Sequence, residues 1–328
     1  MEISSRLILD IYDGSQHFSP SEFNEYALNT AKKIVHFDSA VIADFNIAKN
    51  KKLTLQALHL HSVPLERLQD RPSTVGAETV NHNGALSSRD DVLKNAFRQR
   101  GASIVVDIAK NFSEPGILKY CRKYETDHSL AFVSRETINE VVPTIALWRA
   151  GKKKAYSEDH AGAATLLFPY ILQAREINIR LTQAPMTGLH RSTTVMATLD
   201  GCLYFVSQEA IRLLQLEWKQ WSPPLLPSVL IDSLKKNQER MFVGTAISVN
   251  ASVEGNMICL IIAARTNSEC RLTRAEYLVA RLAAEGLQYK EIARELDVSP
   301  ATVRNQLHSA YRKLGVSNKT ALAAALPS

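Results

Sequence analysis

The chain has 328 residues, of which 45% are hydrophobic and 22% charged, with 39 lysines and arginines against 33 aspartates and glutamates. Such proportions belong to a folded globular chain of two or three domains and exclude a disordered or collagenous protein. The net charge of +6 permits nucleic-acid binding without requiring it, and no apolar run approaches the roughly 20 residues of a membrane-spanning helix.

The opening Met1-Glu2-Ile3-Ser4-Ser5 lacks the basic and apolar regions of a secretory leader, so a cytoplasmic location with no membrane partner is expected. Ser19 as a cap, Pro20 in the first turn, and Phe23, Tyr26, Ala27, Thr30, Ala31 and Ile34 at helical spacing predict a first helix over about 20–35. Strands follow at Ala40–Phe45 and Leu53–Leu60, joined by a polar turn through 48–52. His59 and His61 alternate with Leu58, Leu60 and Ser62 and could share a pocket, although a satisfied pair is the simpler reading than a metal site.

A helix over Asp90–Arg98, a strand over Ser103–Asp107 and a mixed segment over Glu114–Tyr124 come next. A strand pair at His128–Thr137 and Val141–Arg149 follows, then the basic turn Gly151-Lys152-Lys153-Lys154, read as a solvated connection. Ser157 caps a helix with Glu158 and Asp159 in its first turn, where the dipole favours acids. Ala163, Leu166, Leu167, Tyr170, Ile171, Ala174, Ile177, Asn178 and Leu181 mark one face of that long helix, which could connect two copies of the chain. The Trp148-Arg149 strand end, basic turn and Tyr-Ser-Glu-Asp helix start resemble a GAF domain, whose fold and sensory role the likeness implies for 1–183.

Residues 183–188 have the composition of a linker. Beyond it, a strand at Val195–Leu199, an Asp200-Gly201 turn, a strand at Leu203–Val206 and a Ser207-capped helix to Leu216 resemble the opening of a PAS domain. A Pro-rich loop over 222–227, a short helix over 228–237 and a final hairpin of Met241–Val249 and Met257–Ala264 complete a module over 189–266. It is short for that family, and no internal repeat is visible. Trp148, Trp218 and Trp221 are read as packing residues before cavity-lining ones.

The four cysteines, Cys121, Cys202, Cys259 and Cys270, form no CxxC pair and stand near no histidine at ligand spacing. Free thiols, no metal and no cofactor are expected. No phosphate loop, Ser/His/Asp set or paired carboxylate stands out, so an enzyme is the weakest reading.

From Arg271 onward nine cations face five acids, so most of the net charge sits at this end. Four helices are predicted: Thr273–Glu285, Gln288–Leu296, a third opened by Ser299 as cap with Pro300 at the first position, and Asn318–Leu326. The second and third, joined by Asp297-Val298-Ser299, have helix-turn-helix spacing. On the third, Val303, Leu307, Ala310 and Leu314 share one stripe, and Ala301, Arg304, Asn305, His308 and Arg312 the other. Long donors, an amide and an imidazole with no carboxylate suit the major groove.

The blocks Leu272-Thr273-Arg274-Ala275-Glu276, Gly286–Ala293, Val298–Asn305 and Tyr311–Thr320 resemble, in order and spacing, the LuxR-type (GerE-type) DNA-binding domain. The resemblance implies base contacts from Arg304, Asn305 and His308. It implies backbone contacts from Gln288, Lys290, Thr302, Arg312 and Lys319, and pairing on DNA through Ala321, Ala324 and Ala325. Ala275 stands where the family has arginine, which puts an intradomain ion pair in doubt, and Gln306 stands where it has histidine.

The sequence thus predicts an α+β sensory region of antiparallel sheets with flanking helices, GAF/PAS-like, followed by an all-α four-helix helix-turn-helix domain over 271–328. The implied partners are double-stranded promoter DNA, a second copy as homodimer, RNA polymerase and a small-molecule effector. The strand at 40–46 lacks a phospho-receiver's acidic pair, and the Trp/Tyr/Asp-Pro set of acyl-homoserine-lactone receptors is not found. A ligand-independent platform for dimerisation or protein interaction is the alternative. An enclosed cavity with convergent polar groups would separate the two.

Overall fold

A computed structural model describes residues 4–326, apart from 49, 83, 113, 138–140, 152–154, 184–191, 237–239, 266–271, 315, 317, 319–320 and 324–325. The chain opens on α1 (Ser5–His17) and α2 (Pro20–Lys32), then β1 (Ser39–Ile47) and β2 (Leu53–His61). Next come α3 (Leu65–Val75), the short ladder β3 (Thr79–Val80) and β4 (Leu86–Ser87), α4 (Asp91–Arg98), β5 (Ser103–Asp107), α5 (Ile108–Asn111) and α6 (Pro115–Lys123). β6 (His128–Val133), β7 (Val141–Arg149) and the long α7 (Glu158–Gln183) close the first unit.

The sequence reading has no counterpart for α1, α3, α5 or the β3–β4 ladder, and the segment predicted as mixed is the helix α6, capped at Glu114 with Pro115 in its first turn. α1 is held by tertiary contact: Tyr12 Oη donates to Gln173 Oε1 at 2.6 Å, and Asn178 Nδ2 donates to the carbonyls of Ser15 and Phe18. Gly14 lets α2 approach, since a Cβ there would stand 2.8 Å from the Tyr26 ring.

The five strands run in the order β2-β1-β7-β6-β5, all neighbours antiparallel. Alternation sorts their side chains between two cores. Ala40, Ile42, Leu130, Phe132, Ile145 and Leu147 pack under α1, α2 and α7, whereas Ala43, Phe45, Ala131 and Val133 face α4–α6. Arg149 fixes the start of the last crossover by donating to His36 O and Ala155 O, with its guanidinium 4.0 Å over the Tyr156 ring. His59 and His61 meet the two oxygens of Glu25 at 2.9 and 2.7 Å, a satisfied bridge from β2 to α2.

The second unit comprises β8 (Ser192–Thr198), β9 (Leu203–Val206), α8 (Gln208–Glu217), α9 (Ser228–Lys236), β10 (Met241–Val243), β11 (Ile247–Glu254) and β12 (Met257–Ala264). Its order, β10-β11-β12-β8-β9, is the first sheet's order again once each sheet is counted from its own first strand. The repeat is topological, invisible in the residues, and the five-stranded sheet is complete despite its length. The strand predicted over 241–249 is in fact two, because the Glu217 carboxylate takes the N–H groups of Thr245, Ala246 and Ile247 and turns the chain. Gly244 is required beside it, since a Cβ would stand 2.5 Å from that carboxylate. Trp218 packs on Phe242 and Trp221 donates to Leu225 O, as packing residues. The predicted linker beyond Gln183, the basic residues Lys152–Lys154 and Cys270 lie outside the described residues, while Cys121, Cys202 and Cys259 are buried and free.

The two sheets meet at their edge strands β2 and β9. A bulge opposite Asp44 and Phe45 turns Gln56 outward, and its amide donates to Val206 O at 2.7 Å. Arg175 of α7, only 4% exposed, pairs with Asp44 at 2.9 Å and donates to Tyr204 O at 3.2 Å. Ile179, a turn further along α7, packs on Met196, Tyr204 and Cys259 of the second sheet. The face of α7 predicted as a connector is thus largely spent inside the molecule, with Leu166, Tyr170 and Leu181 left exposed.

Removing one partner of such a pair leaves a buried charge alone. Arg175→Met should therefore destabilise the N-terminal units by about 3–5 kcal/mol, and adding Asp44→Asn should recover much of it. Urea unfolding of the single and double variants measures both; equal losses in the two would sink the pairing argument.

Candidate nucleic-acid interface

The C-terminal segment is helical: α10 (Arg274–Ala284), α11 (Tyr289–Glu295) and α12 (Pro300–Leu314), with a last helical stretch at 321–323. Each start follows its cap residue. Thr273 with Glu276 and Gln288 with Glu291 form capping boxes, and Ser299 Oγ accepts from Thr302 N at 3.0 Å. A core of Val279, Ala280, Ala283, Ile292, Val303, Ala310 and Leu322 closes the three helices on one another.

Val303 and Ala310 of α12 are fully buried, and Leu307 and Leu314 half-buried, as their spacing requires. Ala301, Arg304, Asn305, His308 and Arg312 are exposed on the other side. Gln288 and Lys290 are exposed at the start of α11. Thr302 is half-buried, with its hydroxyl 2.8 Å from that of Ser299. Ala321 is half-buried, its N–H bonded to Asn318 Oδ1, whereas Lys319, Ala324 and Ala325 lie outside the described residues.

Two features escape sequence reasoning. The Arg304 guanidinium lies 5.3 Å over the ring of Tyr289, so α11 steadies the foremost cation of the face. Glu276 is buried, and its carboxylate accepts from Thr273 N, Ser309 Oγ and Lys313 Nζ, each at 2.6 Å. Ala275 offers no charge, but an intradomain ion pair forms beside it between Glu276 and Lys313 of α12. Burial would raise the Glu276 carboxyl, but the bonds from Lys313, Ser309 and Thr273 outweigh it and hold it at about 2.

The first unit has a cavity of about 140 Å³ on the sheet face opposite α7, lined by α3, α4 and α6. Its walls are mostly apolar, and Arg67, Asp90, Ser129 and Thr144 are among its polar lining. Trp148, read as packing, is one of its walls. Among the described residues there is no group of His, Cys, Asp or Glu that could hold a metal, and no helix is long and apolar enough to cross a membrane.

Residues 271–326 match the family described as bacterial regulatory proteins, luxR family, GerE. Over 56 residues, 17% of this chain, the sequence is 41% identical to the transcriptional regulatory protein YdfI of Bacillus subtilis (strain 168), and it spans only 26% of that protein's length. Escherichia coli SdiA aligns with 95% of this chain over 91% of its own, at 11% identity and a TM-score of 0.36. A GAF domain/HD domain protein from Geobacter sulfurreducens aligns with 52% of this chain over 98% of its own, at 11% identity and a TM-score of 0.31. The chain therefore ends in a LuxR-type helix-turn-helix, preceded by two antiparallel sheets with flanking helices.

A carboxyl held below its ordinary value stabilises the fold at neutral pH, and the contribution fades as pH falls from about 4.5 toward 2. Glu276→Gln should therefore weaken amide-exchange protection over 274–314 strongly at pH 7 and much less at pH 3. A loss independent of pH would contradict the assignment.

Proposed function

We propose that the chain, with its LuxR-type domain at 271–326, is a transcriptional regulator that binds promoter DNA as a dimer and is controlled by a small molecule bound in its N-terminal half. The observation that carries the DNA reading is the outer face of α12. Arg304, Asn305, His308 and Arg312 stand exposed together on a helix that carries no acid. Arginine pairs with guanine O6/N7 and asparagine with adenine N6/N7 across a width that only the major groove admits. Lys290, Gln288 and Thr302, near the starts of α11 and α12, lie where helix N-termini and side-chain donors meet phosphate. A dimer reads two half-sites about one helical turn apart, and Ala321, Ala324 and Ala325 are the small residues that would let two copies pair there. RNA polymerase is a further partner that the family resemblance implies at a promoter.

The control reading is supported by the cavity of the first unit, where apolar walls and convergent polar groups leave room for a guest. That favours a ligand over the alternative of a pure interaction platform, which needs no internal space.

Arg304→Ala should cost about 1–3 kcal/mol of binding and relax preference at one base pair. Lys290→Ala should weaken binding evenly across sequences and reduce the salt slope by about one unit. Fluorescence anisotropy with promoter fragments at several salt concentrations measures both. If neither substitution alters binding, the groove assignment is wrong.

A further inference from the structure

The two arginines that line the cavity stand in opposite situations. Arg71 is saturated: its guanidinium meets both oxygens of Glu78, at 2.7 and 3.0 Å, and Asp90 at 3.1 Å. The two carboxylates are themselves engaged elsewhere, Glu78 by Ser88 Oγ and Asp90 as the cap of α4. Arg67, one turn earlier on α3 and 7% exposed, makes no ion pair among the described residues. Its guanidinium lies 3.6 Å over the Trp148 ring, with Tyr120 and Tyr124 at 5.7 and 5.6 Å.

The sheet beneath adds two hydroxyls. Ser129 Oγ and Thr144 Oγ1 are buried without a hydrogen-bond partner among the described residues, and both residues line the cavity. Ser129 stands in register with Trp148 on the neighbouring strand, so it flanks the indole that carries Arg67. A buried cation lacking a hydrogen-bonded counter-charge is costly, and a carboxylate is the group whose geometry fits a guanidinium in two parallel bonds. Burial also pushes the Arg67 guanidinium below the usual arginine range, as expected where no carboxylate fully compensates it.

From Arg67, Trp148 and Ser129 we propose that the cavity binds an apolar monocarboxylate, its carboxylate on Arg67 and Ser129 and its body against Phe45, Leu58, Phe112 and Ile117. One negative charge is the limit, because Glu78 and Asp90 already occupy the same end. Size follows from volume: an apolar cavity near 150 Å³ accepts a benzene ring, so a phenyl or compact aliphatic acid is the fitting class for about 140 Å³.

The proposal rests on the reading that the N-terminal half senses a small molecule, and acid binding itself is measured without DNA. Calorimetry on the full chain compares phenylacetate, 4-methylvalerate and octanoate with their neutral amides. At least one acid should bind, and its amide at least tenfold more weakly. Arg67→Gln should bring the acid down to the level of the amide and leave the amide unchanged. No binding by any of the acids, or equal binding of acid and amide by the unaltered chain, overturns the proposal, and that comparison stands even if the variant fails to fold. An acid that binds without altering promoter affinity leaves the site in place and removes the control reading. Intact DNA binding with no acid bound removes the site alone.

Discussion

The helix-turn-helix segment is held in shape by one carboxylate. Glu276 closes the capping box at the start of α10 and, with its remaining capacity, accepts from Ser309 and Lys313 one turn apart on α12. Both jobs fall to the same two oxygens, so the first helix cannot be capped without also fixing where the third one lies. Val303 and Ala310 then turn inward against Val279, Ala283 and Ile292, and Arg304, Asn305 and His308 turn outward. Tyr289 under Arg304 extends the same constraint to α11. These contacts fix the outer face of α12 within the free chain, and a surface ordered in advance loses less freedom on binding.

The N-terminal half uses a similar device. Arg175 ties β1 to β9 through Asp44 and Tyr204, so a single buried guanidinium joins two sheets of the same strand order. The cavity lies on the opposite face of the first sheet, where Val41, Ala43, Thr144, Ala146 and Trp148 alternate with the residues packed beneath α7. The strands that wall the cavity carry α7 on their other face, so the cavity and the domain junction at Arg175 lie one sheet apart.

Local signals were legible wherever a residue and its partner lie within a turn or a strand pair. Ser299 with Pro300 marked the start of α12, two strand segments at 40–45 and 53–60 around a polar turn marked β1 and β2, and the stripe from Val303 to Leu314 marked the buried face of α12. What escaped depends on distant partners. α1 is secured by Gln173 and Asn178, far along the chain. The break between β10 and β11 is made by Glu217. The setting of the Arg67 guanidinium over Trp148 emerges only where α3 and β7 converge. Topological repetition escaped for another reason: strand order is a property of pairing, and the two units reach it with unrelated residues.

We propose that α12 reads base edges in the major groove of a two-fold symmetric site. Selection of bound duplexes from a random pool, followed by methylation of guanine N7 in the recovered sites, tests it most directly. The account predicts enriched sites with paired half-sites about ten base pairs apart, whose binding is blocked when half-site guanines are methylated. Binding that shows no sequence enrichment, or that is untouched by N7 methylation, would contradict it.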